Sequence, residues 1–315
     1  MKKNKIKILF LGTPFFSVPS LEALHKSELC ELIGIVTQPD RPQGRGQKLK
    51  PGAVKEYALK NKIPCFQFQS INSSKALNEL KKLKPSLIFV VSFGQILSEE
   101  ILNLSPLGCL NAHASLLPQY RGAAPINWVL IRGEKETGVC IIKLIKKLDA
   151  GPVVIQEKVK ISHNDNYETL YKKLASLSAK LILKTLVLAQ KNQLKFQEQD
   201  HNKATYAPKI EKTQCHINWN DKASHIHNFI RGLSPIPCAF TFFEGQRFKV
   251  YASQISKIKA NNKPGTIEEC NPTGILVNTQ DKRLFLTEIQ LENKKKMSAS
   301  LFLQGKKLKK GTCLG

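Results

Sequence analysis

The sequence predicts an α/β fold, a Rossmann-like and mostly parallel sheet, followed by a small β-barrel or β-sandwich domain. Three observations predict it. Up to about residue 191, strand-sized apolar runs alternate with segments of helical periodicity, the pattern of a doubly wound sheet. One of those runs, Ser86–Ser92, is continuously apolar between its serines, as a strand buried on both faces of a parallel sheet must be. After about Asn192 the texture changes to short strand-sized pieces parted by turn residues.

Element by element, Lys5–Leu11 is an apolar strand, Val18–His25 a helix and Leu32–Thr37 a second strand. Gln38–Pro51 is a Pro/Gly/basic loop, in which two prolines and two glycines between residues 39 and 46 are expected to prevent regular structure. Gly52–Lys60 reads as a helix, Pro64–Phe66 as a short strand and Ser74–Leu83 as a helix. Strands follow at Ser86–Ser92, Leu107–Ala114, Thr137–Ile145 and Val153–Ile161, then a long helix with an apolar stripe at Asn166–Lys191. In the second half, Lys222–Arg231 is helical, and Ala239–Phe243, Arg247–Ser253, Gly265–Ile267, Gly274–Val277 and Leu284–Ile289 are the strand candidates.

The 315 residues suffice for two domains. No apolar run approaches the ~20 residues of a spanning helix. The lysine-rich start, cut short by Gly12-Thr13-Pro14, reads as a first strand of a cytoplasmic protein. Eight scattered cysteines without a C-x-x-C favour buried free thiols over a metal site or a disulfide framework. The charge says more. Lys+Arg 49 against Asp+Glu 24 leaves +25, a field that attracts polyanions or simply reflects lysine-decorated faces. Only seven of the basic residues are Arg, so Arg41 and Arg45 in one loop, and Arg121, Arg132 and Arg231 each before a Gly, mark positions suited to a planar bidentate donor.

Neither G-x-G-x-x-G nor G-x-x-x-x-G-K-[ST] occurs, which argues against dinucleotide or NTP binding. In an open α/β sheet, ligands bind at the carboxyl ends of strands, so the polar residues there matter most. Within Gly108–Pro118, strand alternation puts Asn111 and His113 on one face. A carboxamide donor beside an imidazole suits polarising a carbonyl and handling a proton. Asp149, in Leu148-Asp149-Ala150-Gly151-Pro152, is expected to reach His113 from a neighbouring strand and to orient its ring. Pattern alone leaves a structural role open, with Asn and His bonded to loop backbone and Asp opening a turn. The loop Gln38–Lys50 carries Arg41, Arg45, Lys48 and Lys50, which fit a phosphate backbone or a solvated surface. Lys294–Lys310, with seven lysines and no acid, has the same two readings.

Longer motifs run through the chain: Leu11-Gly12-Thr13-Pro14, Thr37-Gln38-Pro39-Asp40-Arg41-Pro42 with Gly44-Arg45-Gly46, and Val90–Leu97. Asn111-Ala112-His113-Ala114-Ser115-Leu116-Leu117-Pro118, Tyr120-Arg121-Gly122-Ala123-Ala124-Pro125-Ile126, Glu136-Thr137-Gly138-Val139 and Leu148-Asp149-Ala150-Gly151 follow, then Thr205–Ile210 and Ile230-Arg231-Gly232-Leu233. On these residues the chain resembles, almost end to end, the bacterial methionyl-tRNA formyltransferase family of folate-dependent formyltransferases. The resemblance implies transfer of a formyl group from N10-formyltetrahydrofolate, a co-substrate rather than a bound cofactor, to the α-amino group of methionyl initiator tRNA, with no metal. It implies Asn111, His113 and Asp149 as the catalytic set. Folate is then expected against Phe93, Gly94, Gln95, Ile96 and Leu97 and against Ser115, Leu116, Leu117 and Pro118, with the tRNA acceptor arm on Arg41, Arg45, Lys48 and Lys50. It implies a catalytic domain over residues 1–189, a linker over 190–207 and an OB-like tRNA-binding domain over 208–315, in a cytoplasmic monomer with no membrane partner.

The chain departs from the family pattern at Phe15, Ser86, Lys146, Lys147, Asn218 and Ile236, where the two lysines either compete for Asp149 or point outward. Other readings share parts of this pattern. A formyltransferase acting on a small amine, such as an amino-sugar nucleotide, would keep the trio but has no need of a basic arm. A non-enzymatic RNA-binding relative explains the charge but not the Asn-x-His with a strand-end Asp.

Overall fold

The computed structural model describes residues 5–43, 46, 48–305 and 308–315. Arg45 and two lysines of the C-terminal run, Lys306 and Lys307, lie outside the described residues. The chain divides into two compact units: Met1–Gly122 with Glu136–Val159 and Tyr171–Tyr206, and Ala123–Lys135 with Lys160–Leu170 and Ala207–Gly315.

The first unit begins with β1 (Ile6–Gly12), α1 (Val18–His25) and β2 (Cys30–Thr37). It continues with β3 (Arg41–Gln43), β4 (Lys48–Lys50), α2 (Ala53–Lys60), β5 (Cys65–Gln67), α3 (Ser74–Leu83), β6 (Leu87–Val91) and α4 (Glu99–Leu102). Then come β7 (Cys109–His113), β8 (Glu136–Lys143), β9 (Val153–Lys160) and most of α6 (Tyr167–Gln190), after α5 (Pro125–Ile131), which belongs to the second unit. Seven strands form one sheet in the order β5-β2-β1-β6-β7-β8-β9. The pairs from β5 to β7 are parallel and β8 runs antiparallel to β7, so the expected mostly parallel, Rossmann-like sheet is present. All five residues of β6 are buried, as its unbroken apolar run requires, because helices cover both faces of a central parallel strand.

One local expectation fails. The basic loop is not irregular: β3 and β4 pair as an antiparallel hairpin, with Arg41 opposite Lys50 and Gln43 opposite Lys48. Pro42 does not prevent this, because it lies in an isolated two-stranded ladder, where a missing N–H on the open side costs no ladder bond. Two helices, α4 and α5, carry no clear signal in the sequence; both are short and bounded by loops.

In the second unit, α7 (Ala223–Leu233) precedes β10 (Ala239–Phe243), β11 (Gln246–Lys259), β12 (Ile267–Asn271), β13 (Gly274–Asn278), β14 (Lys282–Leu291), β15 (Met297–Ser298) and α8 (Ala299–Gly305). The strands form an antiparallel sheet in the order β10-β11-β14-β13-β12, with β15 pairing β14. Apolar residues of α7 (Ile226, Ile230, Leu233) pack into one core with Phe243, Phe248, Val250, Leu284 and Leu286 of the sheet. α5 joins this unit, its Asn127 amide donating to the Gly232 carbonyl of α7 at 2.8 Å.

All eight cysteines are free thiols. Burial pushes Cys109 and Cys140 up to about 12, so both stay protonated and inert, as expected from their spacing.

Candidate active site

The site grows from the carboxyl end of β7. Its register places Asn111 beside Val90 of β6 and Ile142 of β8, and His113 beside Cys140. Asn111 is half-buried, and its carboxamide makes no hydrogen bond among the described residues. His113 is 6% exposed, with both ring nitrogens engaged. Nε2 lies 2.9 Å from the Tyr120 carbonyl oxygen, which can only accept, so Nε2 carries a proton. Nδ1 lies 3.6 Å from Asp149 Oδ2, within ion-pair range but longer than a hydrogen bond.

Asp149 does not arrive from a strand end. β8 is antiparallel to β7 and finishes with Lys143 beside Leu110, away from His113. The excursion of residues 144–151 brings the carboxylate back, and Lys143 N–H then bonds the Pro152 carbonyl at 2.9 Å. Asp149 is buried and sits at φ 47, a left-handed conformation unusual for a non-glycine residue. Its Oδ2 also accepts the Gly122 N–H at 2.8 Å. Gly151 closes the excursion so tightly that a Cβ there would come within 1.8 Å of the Lys143 carbonyl oxygen. Neither departing lysine competes for Asp149: Lys146 faces Glu99 at 3.5 Å with 86% of its side chain exposed, and Lys147 points to solvent.

The structure thus gathers Asn111, His113 and Asp149. It adds four residues with no sequence motif for catalysis: Tyr120 and Gly122 through their backbone, and Arg121 and Gln199 through their side chains. Gln199 Nε2 donates to the carbonyls of Asp149 (2.9 Å) and Gly151 (2.6 Å), and its Oε1 accepts from Arg121 Nη2 at 2.6 Å. Tyr120, Arg121 and Gly122 stand in the Tyr120–Ile126 motif, and Arg121 had a further signal, an arginine where lysine is the default; Gln199 had none.

The two segments expected to flank the folate follow neighbouring parallel strands, β6 and β7, and so leave the sheet at one end. Phe93 and Leu97 lie in the sheet's core cluster, and Leu117 packs on Cys140 and Ile142. Ser115 is buried, its hydroxyl donating to the Gln119 carbonyl at 2.6 Å. What these four offer a ligand is backbone. Gly94, Gln95, Ile96, Leu116 and Pro118 keep accessible surface, Ile96 being 80% exposed.

Arg41, Lys48 and Lys50 are exposed on the β3–β4 hairpin. Its base is fixed by Asp40, which accepts from Lys55 Nζ (2.6 Å) and Gln67 Nε2 (2.9 Å). Those two bonds hold the Asp40 carboxyl below its ordinary range, Lys55 contributing most.

A formyl transferase family model matches residues 4–186, and a formyl transferase C-terminal domain model matches residues 209–307. The chain is 43% identical over 310 residues to the methionyl-tRNA formyltransferase of Alkaliphilus oremlandii, covering 98% of this chain and 100% of that one. It is 40% identical to the methionyl-tRNA formyltransferase of Bacillus subtilis, covering 98% of each. Among solved structures, WlaRD, a sugar 3N-formyl transferase crystallised in the presence of dTDP and 5-N-formyl-THF, superposes with TM-score 0.69 at 21% identity over 93% of this chain and 100% of that one. HypX from Aquifex aeolicus in complex with tetrahydrofolic acid superposes with TM-score 0.64 at 16% identity; the match covers 95% of this chain but only 47% of that longer one. These two share the fold. With both domain models matched and relatives above 40% identity aligned from end to end, the chain belongs to the methionyl-tRNA formyltransferase family of formyl transferases.

Proposed function

We propose that the protein transfers a formyl group from N10-formyltetrahydrofolate to the α-amino group of methionyl initiator tRNA, yielding formylmethionyl-tRNA for translation initiation. The observation that carries the reading is the buried His113–Asp149 pair beside an uncommitted Asn111 carboxamide at one strand end. In this reaction the neutral amine attacks the formyl carbon and the carbonyl oxygen gains charge. Asn111 donates an amide N–H to that oxygen, and His113 adds its Nδ1–H, which lies too far from Asp149 for a full hydrogen bond, while the Tyr120 carbonyl keeps Nε2 in place. Asp149 pairs with the imidazolium and helps to pass the amine proton toward the folate nitrogen as the C–N10 bond breaks. Folate lies along backbone of residues 93–97 and 115–118, against the accessible surface of Gln95, Ile96, Leu116 and Pro118.

The charges favour a nucleic-acid substrate. Arg41 faces Lys50 directly across the hairpin, a like-charge pairing that is unfavourable until an anion such as a phosphate sits between them. On this reading residues 1–189 are the catalytic domain, 190–207 the connection and 208–315 the tRNA-binding domain. The enzyme works as a cytoplasmic monomer; among the described residues no helix is long and apolar enough to cross a membrane.

The test is a transfer assay with N10-formyltetrahydrofolate and methionylated initiator or elongator tRNA, following formylated product on an acid gel. Product with the initiator alone is expected. Folded protein that formylates neither tRNA but does formylate an amino-sugar nucleotide would move the activity to a small amine.

A further inference from the structure

Resting on the formyl-transfer reading, we propose that residues 199–205 form a positioning strap for the catalytic pair, Gln199 setting the Asp149 turn and Thr205 setting the carbonyl that holds His113. The segment reads in the sequence as polar connection, and none of its side chains has to touch a substrate.

The left-handed φ of 47 at Asp149 is one that Asp tolerates better than most non-glycine residues, still at a cost that fixed bonds to the turn offset. Gln199, only 8% exposed, braces the turn by aiming one amide nitrogen at two carbonyls, those of Asp149 and Gly151 on either side of Ala150. The amide cannot turn over. Arg121 has only donors, and its Nε (3.2 Å) and Nη2 (2.6 Å) both point at Gln199 Oε1, which leaves Nε2 for the carbonyls. Arg121 is itself 1% exposed, and its Nη2 also lies 2.9 Å from His201 Nδ1, the accepting nitrogen of another strap residue. The next residue, Gly122, binds the Asp149 carboxylate through its N–H.

The other end of the strap acts on His113. Thr205 Oγ1 accepts the Tyr120 N–H at 2.9 Å and the Thr205 carbonyl accepts the Arg121 N–H at 2.9 Å. Tyr120 is held at φ 60 between them, with its carbonyl on His113 Nε2. The strap therefore fixes an oxygen at each ring nitrogen of His113.

Four variants of the full chain test this: Gln199→Glu, Gln199→Leu, Thr205→Val and Thr205→Ser. Gln199→Glu keeps an acceptor for Arg121 but loses both donations to the turn. It is expected to lower kcat about 100-fold, as a displacement of about 1 Å at a reacting group does, with KM for folate and for tRNA within about twofold of wild type. Gln199→Leu, which also strips buried Arg121 of that acceptor, is expected to lower kcat at least as much. Amide hydrogen exchange over residues 147–151 is expected to quicken in both. Thr205→Val keeps the shape without the hydroxyl and is expected to lower kcat, whereas Thr205→Ser restores it. Folded Gln199→Glu protein with kcat within about twofold of wild type overturns the proposal, as does a Thr205→Ser no better than Thr205→Val. If the Gln199 variants do not fold, the Thr205 pair decides. If wild type formylates neither tRNA, the functional reading fails, while the exchange comparison still reports whether the strap holds the turn.

Discussion

His113 shows how one side chain meets two descriptions at once. Its Nε2 bonds a loop carbonyl, as a structural strand-end histidine does, while Nδ1 faces a buried carboxylate, as a catalytic one does. Only substitution separates the roles. His113→Ala and Asp149→Ala are each expected to lower kcat by about 10³-fold, in the range of general acid–base contributions, with tRNA affinity in a filter-binding assay unchanged. A near-normal rate in either would remove that residue from the mechanism. Gly151 is required for a steric reason. Gly151→Ala drives a Cβ into the Lys143 carbonyl, so the excursion bearing Asp149 must shift. A loss of about 1–3 kcal/mol in denaturant unfolding, with a larger loss of turnover than of stability, is the expected result.

Among the elements, the β3–β4 hairpin and the edge of the second sheet make opposite uses of charge. The hairpin concentrates like charges and anchors them through Asp40, Lys55 and Gln67. Lys55→Met removes the strongest bond to Asp40 and frees an acid beside Arg41. It is expected to raise KM for methionyl-tRNA several-fold and leave KM for folate unchanged in steady-state kinetics. Arg41→Ala is expected to reduce the salt slope of log K for tRNA by about one, which titrations across a range of KCl concentrations would show. At the sheet edge, Glu268 of β12 gathers Lys310 Nζ (2.7 Å), Asn262 (2.9 Å) and Asn278 (3.3 Å). Lys310 first, then the two amides, push its carboxyl down to about 2 from an ordinary 4.5. A depressed carboxylate stabilises the fold above its unfolded value, and that contribution is lost as the pH falls through the folded one. The Tm deficit of Glu268→Gln is therefore expected to be full at pH 7 and 5, to narrow below about 4.5 and to close near 2. Lys310 is 70% exposed, so solvent screening keeps the deficit small.

Across the whole molecule the +25 charge sets how the enzyme meets its substrate more than how it folds. Exposed basic residues stand on the hairpin of the first unit and along Lys294–Lys296 of the second. kcat/KM for methionyl-tRNA is expected to fall steeply between low and physiological salt, where the Debye length shortens to about 8 Å, while kcat at saturating tRNA holds. A flat salt profile in initial-rate measurements would mean that this charge serves solubility alone.

The sequence by itself determined most of the strands, the main helices and the candidate trio Asn111, His113 and Asp149, because each is written in local periodicity or a contiguous motif. The buried run of β6 and the alternation Asn111–His113 need no partner to be read. It did not disclose the hairpin at Arg41–Lys50, whose pairing is a contact between two basic strands that propensity disfavours. Nor did it show that α5 packs with α7, across about a hundred residues of chain. The tertiary structure alone decided how Asp149 reaches His113: an antiparallel β8 carries the chain away, and the 144–151 excursion returns it. It alone decided that Gln199 and Thr205 secure that geometry, because hydrogen bonds between residues 50 to 85 positions apart leave no periodic trace in the chain.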